Sequence, residues 1–203
     1  MDNLLLGVKQ FKDEIYPEYK QLFESLKSQQ SPHTLFIGCS DSRLIPDLIT
    51  RSMPGDLFVV RNIANIVPKY RLSEEYLATT SAIEFAVLGL NVKNIVVCGH
   101  SNCGGCRALV QQEQFKNMPH TIKWLEQSSE IIKNIGSNFN DDKIFEEIEK
   151  QNIILQLNNL MTYPFIKEKY VSNSVNIYGW YFDIGSGTVF SYNKLTNQFE
   201  KLD

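Results

Sequence analysis

The sequence predicts an α/β fold with a central, mostly parallel sheet, helices on both faces, an N-terminal helical arm and a C-terminal antiparallel edge hairpin. Short, almost continuously apolar runs alternate with segments of helical period, a pattern typical of parallel strands that are buried on both faces. An amphipathic stripe precedes the first apolar run. A Gly-Ser-Gly turn separates the last two extended segments, which indicates a closing hairpin.

The predicted arm comprises residues 1–28. Its apolar residues recur at alternating steps of three and four, as on one face of a helix, and are Leu4, Val8, Phe11, Ile15, Tyr19, Leu22 and Leu26. Because Pro17 interrupts this stripe, we predict two helices or one kinked helix, with Pro17 near the first turn of the second part. A stripe this apolar must pack on something, either the chain's own domain or a partner subunit.

The other elements follow in a regular order. Strands are predicted at residues 34–38, 57–60, 93–98, 174–184 and 188–192. Helices are predicted at residues 74–88, from Gly104 onward, near 121–135 and at 144–160. No repeat, linker or low-complexity tract divides the chain, so residues 1–203 are expected to form one domain.

Composition limits the class of function. With 43% hydrophobic and 21% charged residues, the chain has the composition of an ordinary globular protein. Its formal net charge of −3 argues against a nucleic-acid binder, which would usually have a basic face. It has no apolar run of about 18 residues that would span a membrane. Its first residues lack the basic and apolar regions of a secretory signal. We therefore expect a cytoplasmic protein with neither nucleic-acid nor membrane partners.

Candidate metal ligands follow two of the predicted strands. Cys39 ends the first strand, and His100 and Cys103 follow the third. Ligand sites of such sheets lie at the carboxyl ends of the strands, so we expect these side chains to meet. Two thiolates and one imidazole suit zinc, and three protein ligands leave a fourth position for water or substrate. The sequence therefore predicts one catalytic Zn²⁺ per chain.

Asp41 and Arg43 form a second candidate group beside this metal. They are two residues apart, so both point to one side of an extended segment, and an arginine fork holds a carboxylate in a fixed orientation. Asp41 is expected to accept a hydrogen bond from the bound water, or to become a fourth metal ligand when Arg43 releases it. Two thiolates cancel the charge of zinc, so the bound water should be less acidic than at a three-histidine site, where its pKa is about 7.

Two other hypotheses remain open from the residues alone. A non-catalytic zinc module would use Cys98, His100, Cys103 and Cys106 and leave Cys39 in the core. A thiol–disulfide protein would use Cys103 and Cys106, whose spacing at a helix start can lower the pKa of a thiol. We expect instead that Cys98 and Cys106 are buried core residues.

With Cys39-x-Asp41-x-Arg43 followed by His100-x-x-Cys103-Gly-Gly, the chain resembles the β-class carbonic anhydrases over essentially its whole length. Further matching stretches are residues 30–32, 54–65 and 82–84. The resemblance implies a zinc enzyme that interconverts CO₂ and bicarbonate by attack of zinc-bound hydroxide on CO₂. Hydrolysis of the sulfur analogues CS₂ or COS on the same fold stays an alternative.

The resemblance also assigns roles to single residues. Cys39, His100 and Cys103 bind zinc. Asp41 orients the nucleophile, or binds zinc only in a closed form, and Arg43 holds Asp41. The implied substrate-binding residues are Gln30, which would hydrogen-bond the substrate, the pocket-wall residues Phe58, Ile63 and Phe85, and Gly104.

Regulation and assembly follow from the same resemblance. Phe36 stands where some relatives carry a tryptophan of a regulatory bicarbonate site. We therefore expect the open form, with Asp41 paired to Arg43, to predominate. Family members are homodimers or dimers of dimers, so the arm at residues 1–28 is expected to contact a partner subunit.

Overall fold

A six-stranded sheet organises the part of the chain that the structure describes, residues 2–72, 77–135 and 142–202 of a computed structural model. Its strands are β1 (Thr34–Cys39), β2 (Leu57–Asn62), β3 (Asn94–His100), β4 (Asn176–Asp183), β5 (Thr188–Asn193) and β6 (Gln198–Lys201). The order is β2-β1-β3-β4-β5-β6, and the first four of these strands pair in parallel. β5 and β6 add an antiparallel edge. The predicted sheet and its edge hairpin are confirmed.

The N-terminal arm is helical, as predicted. It consists of α1 (Asp2–Gln10), a π-helical segment (Phe11–Ile15) and α2 (Tyr16–Leu26). Pro17 is the second residue of α2, and the backbone is helical at Gln10, Ile15 and Tyr16, so the three segments follow one another as one interrupted helix with the proline directly after the π-helical part. Near the end of α2, the Leu26 side chain lies against Gly55, in the loop before β2.

The body contains seven further α-helices within the described residues. They are α3 (Pro46–Thr50), α4 (Ala78–Glu84), α5 (Gly104–Val110), α6 (Pro119–Leu125), α7 (Glu130–Ile135), α8 (Asp142–Leu160) and α9 (Pro164–Val171). Among these described helices, none is both long and apolar enough to cross a bilayer. The sequence reading missed the short helices α3 and α9, although each begins with a proline in its first turn.

Two predicted helices have different bounds in the structure. Of the helix expected at residues 74–88, residues 74–76 lie outside the described residues; α4 begins at Ala78 and continues as a π-helical turn (Phe85–Gly89). The helix expected at residues 121–135 is divided into α6 and α7 by a 3₁₀ turn (Glu126–Ser128). The cause is tertiary, because Ser128 in that turn is buried and donates a hydrogen bond to Asn152 of α8 at 2.9 Å.

The two faces of the sheet bury different side chains, and helices lie on both, as predicted. On one face, strand residues pack against α4, α8 and α9; the fully buried ones are Leu35, Ile37, Ile95 and Val97. On the other face, Phe36 and Cys98 pack against Leu44, which leads into α3. Cys98 is completely buried, so its predicted place in the core is confirmed.

Helix α8 lies very close to the sheet. A Cβ atom at Gly99 would come within 2.8 Å of the Ile153 side chain, and one at Gly179 within 2.8 Å of Leu157. Side chains at these two positions would therefore push the helix away from β3 and β4. The close approach brings the buried face of α8 to the end of β3, where His100 lies.

Polar side chains of α8 also hold the loop that follows β2. Asn152 donates to the Ala64 carbonyl at 2.9 Å, and Gln156 accepts from the Val67 N–H at 2.8 Å. Ala64 has a left-handed backbone (φ 61°), which is costly for a residue with a Cβ and persists only where its surroundings hold it. The loop is therefore positioned by α8 rather than by its own backbone preference.

Candidate metal centre

Three buried side chains with metal-binding atoms converge at one edge of the sheet. Cys39 is the last residue of β1 and His100 the last residue of β3, and these strands are parallel neighbours. Cys103 directly precedes α5. The ligand atoms of the three residues lie within 4.8 Å of one another. The parallel pairing therefore assembles a group that is widely separated in sequence.

The spacing of the two thiols suits zinc. Their Sγ atoms are 3.9 Å apart. Two sulfurs bound at about 2.3 Å to one tetrahedral zinc lie about 3.8 Å apart. The cluster could therefore hold the ion with little movement of either cysteine.

His100 presents a ring nitrogen without a partner. The side chain is completely buried, and Nδ1 lies 3.0 Å from the Ser101 carbonyl, to which its N–H donates. This bond leaves Nε2 as the acceptor nitrogen, and Nε2 is buried without a hydrogen bond. Such an atom costs free energy unless something binds it, and a metal ion would do so. The residues present therefore fit zinc.

The two thiols hold their protons until a cation displaces them. The contact with Cys103, together with burial, raises the pKa of the Cys39 thiol to about 12. A hydrogen bond with Cys106 and, to a smaller extent, burial raise the pKa of the Cys103 thiol well above its ordinary value. Zinc binds thiolates, so metal uptake at this site must release protons.

Asp41 borders the metal position and is held by Arg43. The Arg43 Nε donates to Oδ1 at 2.9 Å and Nη2 donates to Oδ2 at 2.7 Å, while the Arg43 backbone N–H also donates to Oδ1. These hydrogen bonds keep the pKa of the Asp41 carboxyl far below its usual range. Oδ2 is 3.8 Å from the Nε2 of His100, the atom that lacks a partner. An ionised carboxylate is therefore fixed beside the metal position.

A second arginine, Arg61, holds the backbone of the segment that contains Cys39 and Asp41. Arg61 of β2 donates through Nε to the Cys39 carbonyl at 2.9 Å and through Nη2 to the Asp41 carbonyl at 2.6 Å. No local pattern around Arg61 predicts these hydrogen bonds, because they depend on the pairing between β1 and β2.

The predicted pocket-wall residues do not all lie beside the metal ligands of one chain. Phe58 pairs with Leu35 near the start of β1 and its ring lies near that of Phe85, whereas Ile63 follows Asn62, the residue paired with Cys39. The rings of Phe58 and Phe85 are 5.9 Å apart. Phe85 is 52% exposed and Ile63 is 40% exposed, which is high for large apolar side chains. The indole N–H of Trp124 on α6 donates to the Ile63 carbonyl at 2.9 Å and so ties α6 to the loop after β2.

The remaining predicted substrate residues lie in exposed positions. Gly104 is exposed at the first position of α5. At the neighbouring Gly105, a Cβ would approach the Ala64 side chain to 2.9 Å, so the start of α5 fits closely against the loop after β2. Gln30 is exposed in the segment that joins α2 to β1.

Sequence reasoning missed one buried residue of the site, Glu149 on α8. Its Oε1 accepts from the backbone N–H of Cys103 at 2.7 Å, and its Oε2 accepts from the Tyr181 hydroxyl at 3.1 Å. Burial raises the pKa of this carboxyl to about 7. The sequence does contain a sign of such a residue. Glu149, Asn152 and Gln156 recur at helical spacing among apolar residues, which indicates polar side chains on the buried face of the helix.

The other two cysteines lie outside the ligand cluster. Among the described residues, the group of potential ligands found here consists of Cys39, His100 and Cys103. Cys98 directs its thiol to the Gly99 carbonyl, and Cys106 is buried, as predicted. All four cysteines are free thiols. This arrangement favours the catalytic zinc hypothesis over a module built on Cys98 and Cys106.

Comparisons with known proteins agree with this site. A family model described as carbonic anhydrase matches residues 34–189. A carbonic anhydrase of Helicobacter pylori strain J99 is 38% identical over 205 residues, which cover 98% of this chain and 93% of that protein. The solved structure of the β-carbonic anhydrase CcaA has a TM-score of 0.93 at 33% identity and covers 100% of this chain and 99% of its own. A structure from a study of two tetrameric β-carbonic anhydrases of Sordaria macrospora has a TM-score of 0.74 at 33% identity, covering 94% and 92%.

Replacing Cys39 by serine tests which cysteines bind metal. We expect Cys39→Ser to weaken zinc binding by at least about tenfold, since even residues that only support a metal ligand have effects of this size. The measurement is zinc retention against a competing chelator. Cys98→Ala, also at a buried cysteine, should retain one zinc per chain. Loss of zinc from Cys98→Ala but not from Cys39→Ser would contradict this assignment.

Proposed function

The chain belongs to the β-carbonic anhydrase family, and from this membership we propose that it catalyses the zinc-dependent, reversible hydration of CO₂ to bicarbonate and a proton. One observation carries the proposal. Cys39, His100 and Cys103 converge around a buried, unpartnered ring nitrogen, and the paired Asp41 and Arg43 lie beside them. Three ligands and an adjacent carboxylate are the elements that hydration of a small electrophile requires.

Each polar residue of the site has a distinct task in this reaction. Zinc held by Cys39, His100 and Cys103 would supply an acidified water molecule as the nucleophile. Asp41 remains ionised because Arg43 lowers its pKa, so its carboxylate is a hydrogen-bond acceptor for the attacking water. Accepting that hydrogen bond fixes the water so that a lone pair is free to attack CO₂. We propose that this open arrangement, with Asp41 on Arg43, is the working state.

The substrate side of the site is apolar, which suits CO₂. Phe58, Phe85 and Ile63 would provide apolar contacts against which a small molecule without a dipole loses little by leaving water. Gly104 and Gln30 lie at exposed positions and would hydrogen-bond the oxygen atoms as bicarbonate forms. These roles would admit an apolar substrate and hold a charged product.

We further propose that a second copy of the chain completes the pocket. The arm leaves Leu4, Val8 and Phe11 exposed, at 74%, 62% and 46%. Ile63 and Phe85 in the pocket wall are exposed as well. Burial of such apolar area is favourable by about 25 cal/mol per Å², so both surfaces favour association. The Sordaria relatives are tetramers, which supports a homodimer or a dimer of dimers here.

Charge counting predicts how the activity depends on pH. Two thiolates neutralise zinc, so the attacking water should ionise above the value of about 7 seen at three-histidine sites. We expect CO₂ hydration by the zinc-loaded protein, followed by stopped flow, to rise with pH through the alkaline range. A chelator should abolish this activity. A profile that is already flat and maximal below neutrality would contradict the charge argument.

The arm can be tested by charging its exposed stripe. We expect the double variant Leu4→Glu, Val8→Glu to shift the protein toward monomers in sedimentation velocity, because buried carboxylates would oppose association. Leu195→Glu, Leu202→Glu is the matched control, since these side chains are also exposed, at 97% and 46%, but lie beyond the arm. An unchanged assembly in the arm variant would show that the stripe does not form the interface.

A further inference from the structure

Glu149 is a buried carboxylate with two fixed partners. It is 3% exposed, and its hydrogen bonds come from the backbone N–H of Cys103 and from the hydroxyl of Tyr181, which is itself 4% exposed. A carboxyl group in such a place is unfavourable unless it makes hydrogen bonds that the fold needs. An apolar side chain would fill the same space at lower cost. Packing alone therefore does not explain a carboxyl group at position 149, whereas the hydrogen bond from the Cys103 N–H does give it a function.

The peptide that joins Asn102 to Cys103 is held from both ends. Its N–H donates to Glu149 at 2.7 Å, and its carbonyl accepts from the Arg43 Nη2 at 3.1 Å. Arg43 is also the residue that orients Asp41. The orientation of this single peptide thus affects both a metal-ligating thiol and the ion pair beside the metal position.

Asn102 supplies the turn at this peptide but does not by itself fix the orientation of the peptide plane. Its left-handed conformation (φ 55°) is one that asparagine tolerates better than other residues with a Cβ. The contacts to the N–H and to the carbonyl are what hold the plane in one direction. Glu149 comes from α8 and Tyr181 from β4, so the carboxylate that holds the N–H is fixed by two elements of the body.

We infer that Glu149 is a positioning residue for the metal centre: by accepting the Cys103 N–H, it fixes the peptide whose carbonyl holds Arg43, and so sets the directions of the Cys103 thiolate and the Asp41 carboxylate together. Glu149 touches neither the substrate nor the reacting atoms. Its effect on catalysis rests on the proposed function, whereas its effect on the metal site does not.

Near-isosteric variants separate this role from simple space filling. Glu149→Gln keeps an oxygen that accepts the Cys103 N–H, whereas Glu149→Met fills a similar volume without a strong acceptor. Leu157→Ala is the control, because Leu157 is buried on the same helix about two turns beyond Glu149 and packs on the sheet at Gly179 rather than on the metal centre. Each protein is examined for zinc release to a chelator, for the thiolate-to-cobalt absorption of the Co²⁺ form, and for kcat and KM with CO₂.

We expect Glu149→Met to bind zinc about 10–100-fold more weakly, the range found when a group supporting a metal ligand is removed. Its cobalt absorption should change, and kcat should fall more than KM rises, because the pocket wall is untouched. Glu149→Gln should restore values close to those of the unmodified protein. Leu157→Ala should lower the Tm without changing the zinc release or the cobalt spectrum.

Either of two results would overturn the inference. One is that folded Glu149→Met retains the zinc affinity and cobalt spectrum of the unmodified protein; the other is that Glu149→Gln is as damaging as Glu149→Met. If Glu149→Met fails to fold, Tyr181→Phe takes its place, since it removes one partner of the carboxylate and should weaken zinc binding to a smaller degree. If the unmodified protein does not hydrate CO₂, the proposed function fails, whereas the zinc and cobalt measurements still decide the role of Glu149.

Discussion

The parallel pairing of β1 with β3 is the constraint on which the metal centre depends. It places Cys39 and His100 at the same edge of the sheet, and Cys103 follows where the chain turns from β3 into α5. A shift of one residue in this register would turn the Cys39 side chain to the opposite face and separate the ligands. The apolar faces of both strands, buried against α8 on one side, oppose such a shift because it would expose them.

The polar atoms of the metal centre do not all have partners within the protein, and a bound cation would supply the missing one. His100 offers a buried nitrogen without a partner, and the neighbouring thiols of Cys39 and Cys103 resist ionisation. Hydrogen bonds from three directions hold the surrounding backbone, from Arg61, from Arg43 and from Glu149. Rigid supports of this kind let a metal bind without ordering the site at the moment of binding.

The sequence was sufficient for the features that depend on local pattern. The arm, the parallel strands and the three ligand residues each follow from an apolar run or a helical stripe with a motif at its end. The features that it did not predict depend on contacts between distant segments. β6 is a polar edge strand in which Phe199 is the one large apolar residue, so no alternation marks it. Glu149 acquires its role only because α8 packs within contact distance of β3.

A crystal structure of the zinc-loaded protein near neutral pH, with anomalous diffraction measured at the zinc edge, would test the metal centre directly. We expect one zinc per chain, at about 2.3 Å from the Sγ atoms of Cys39 and Cys103 and at about 2.0–2.1 Å from the Nε2 of His100, with Asp41 still paired to Arg43. Anomalous density at any other group of residues would contradict the proposed metal centre. Zinc in the expected place but bound by Asp41 would contradict the open working state.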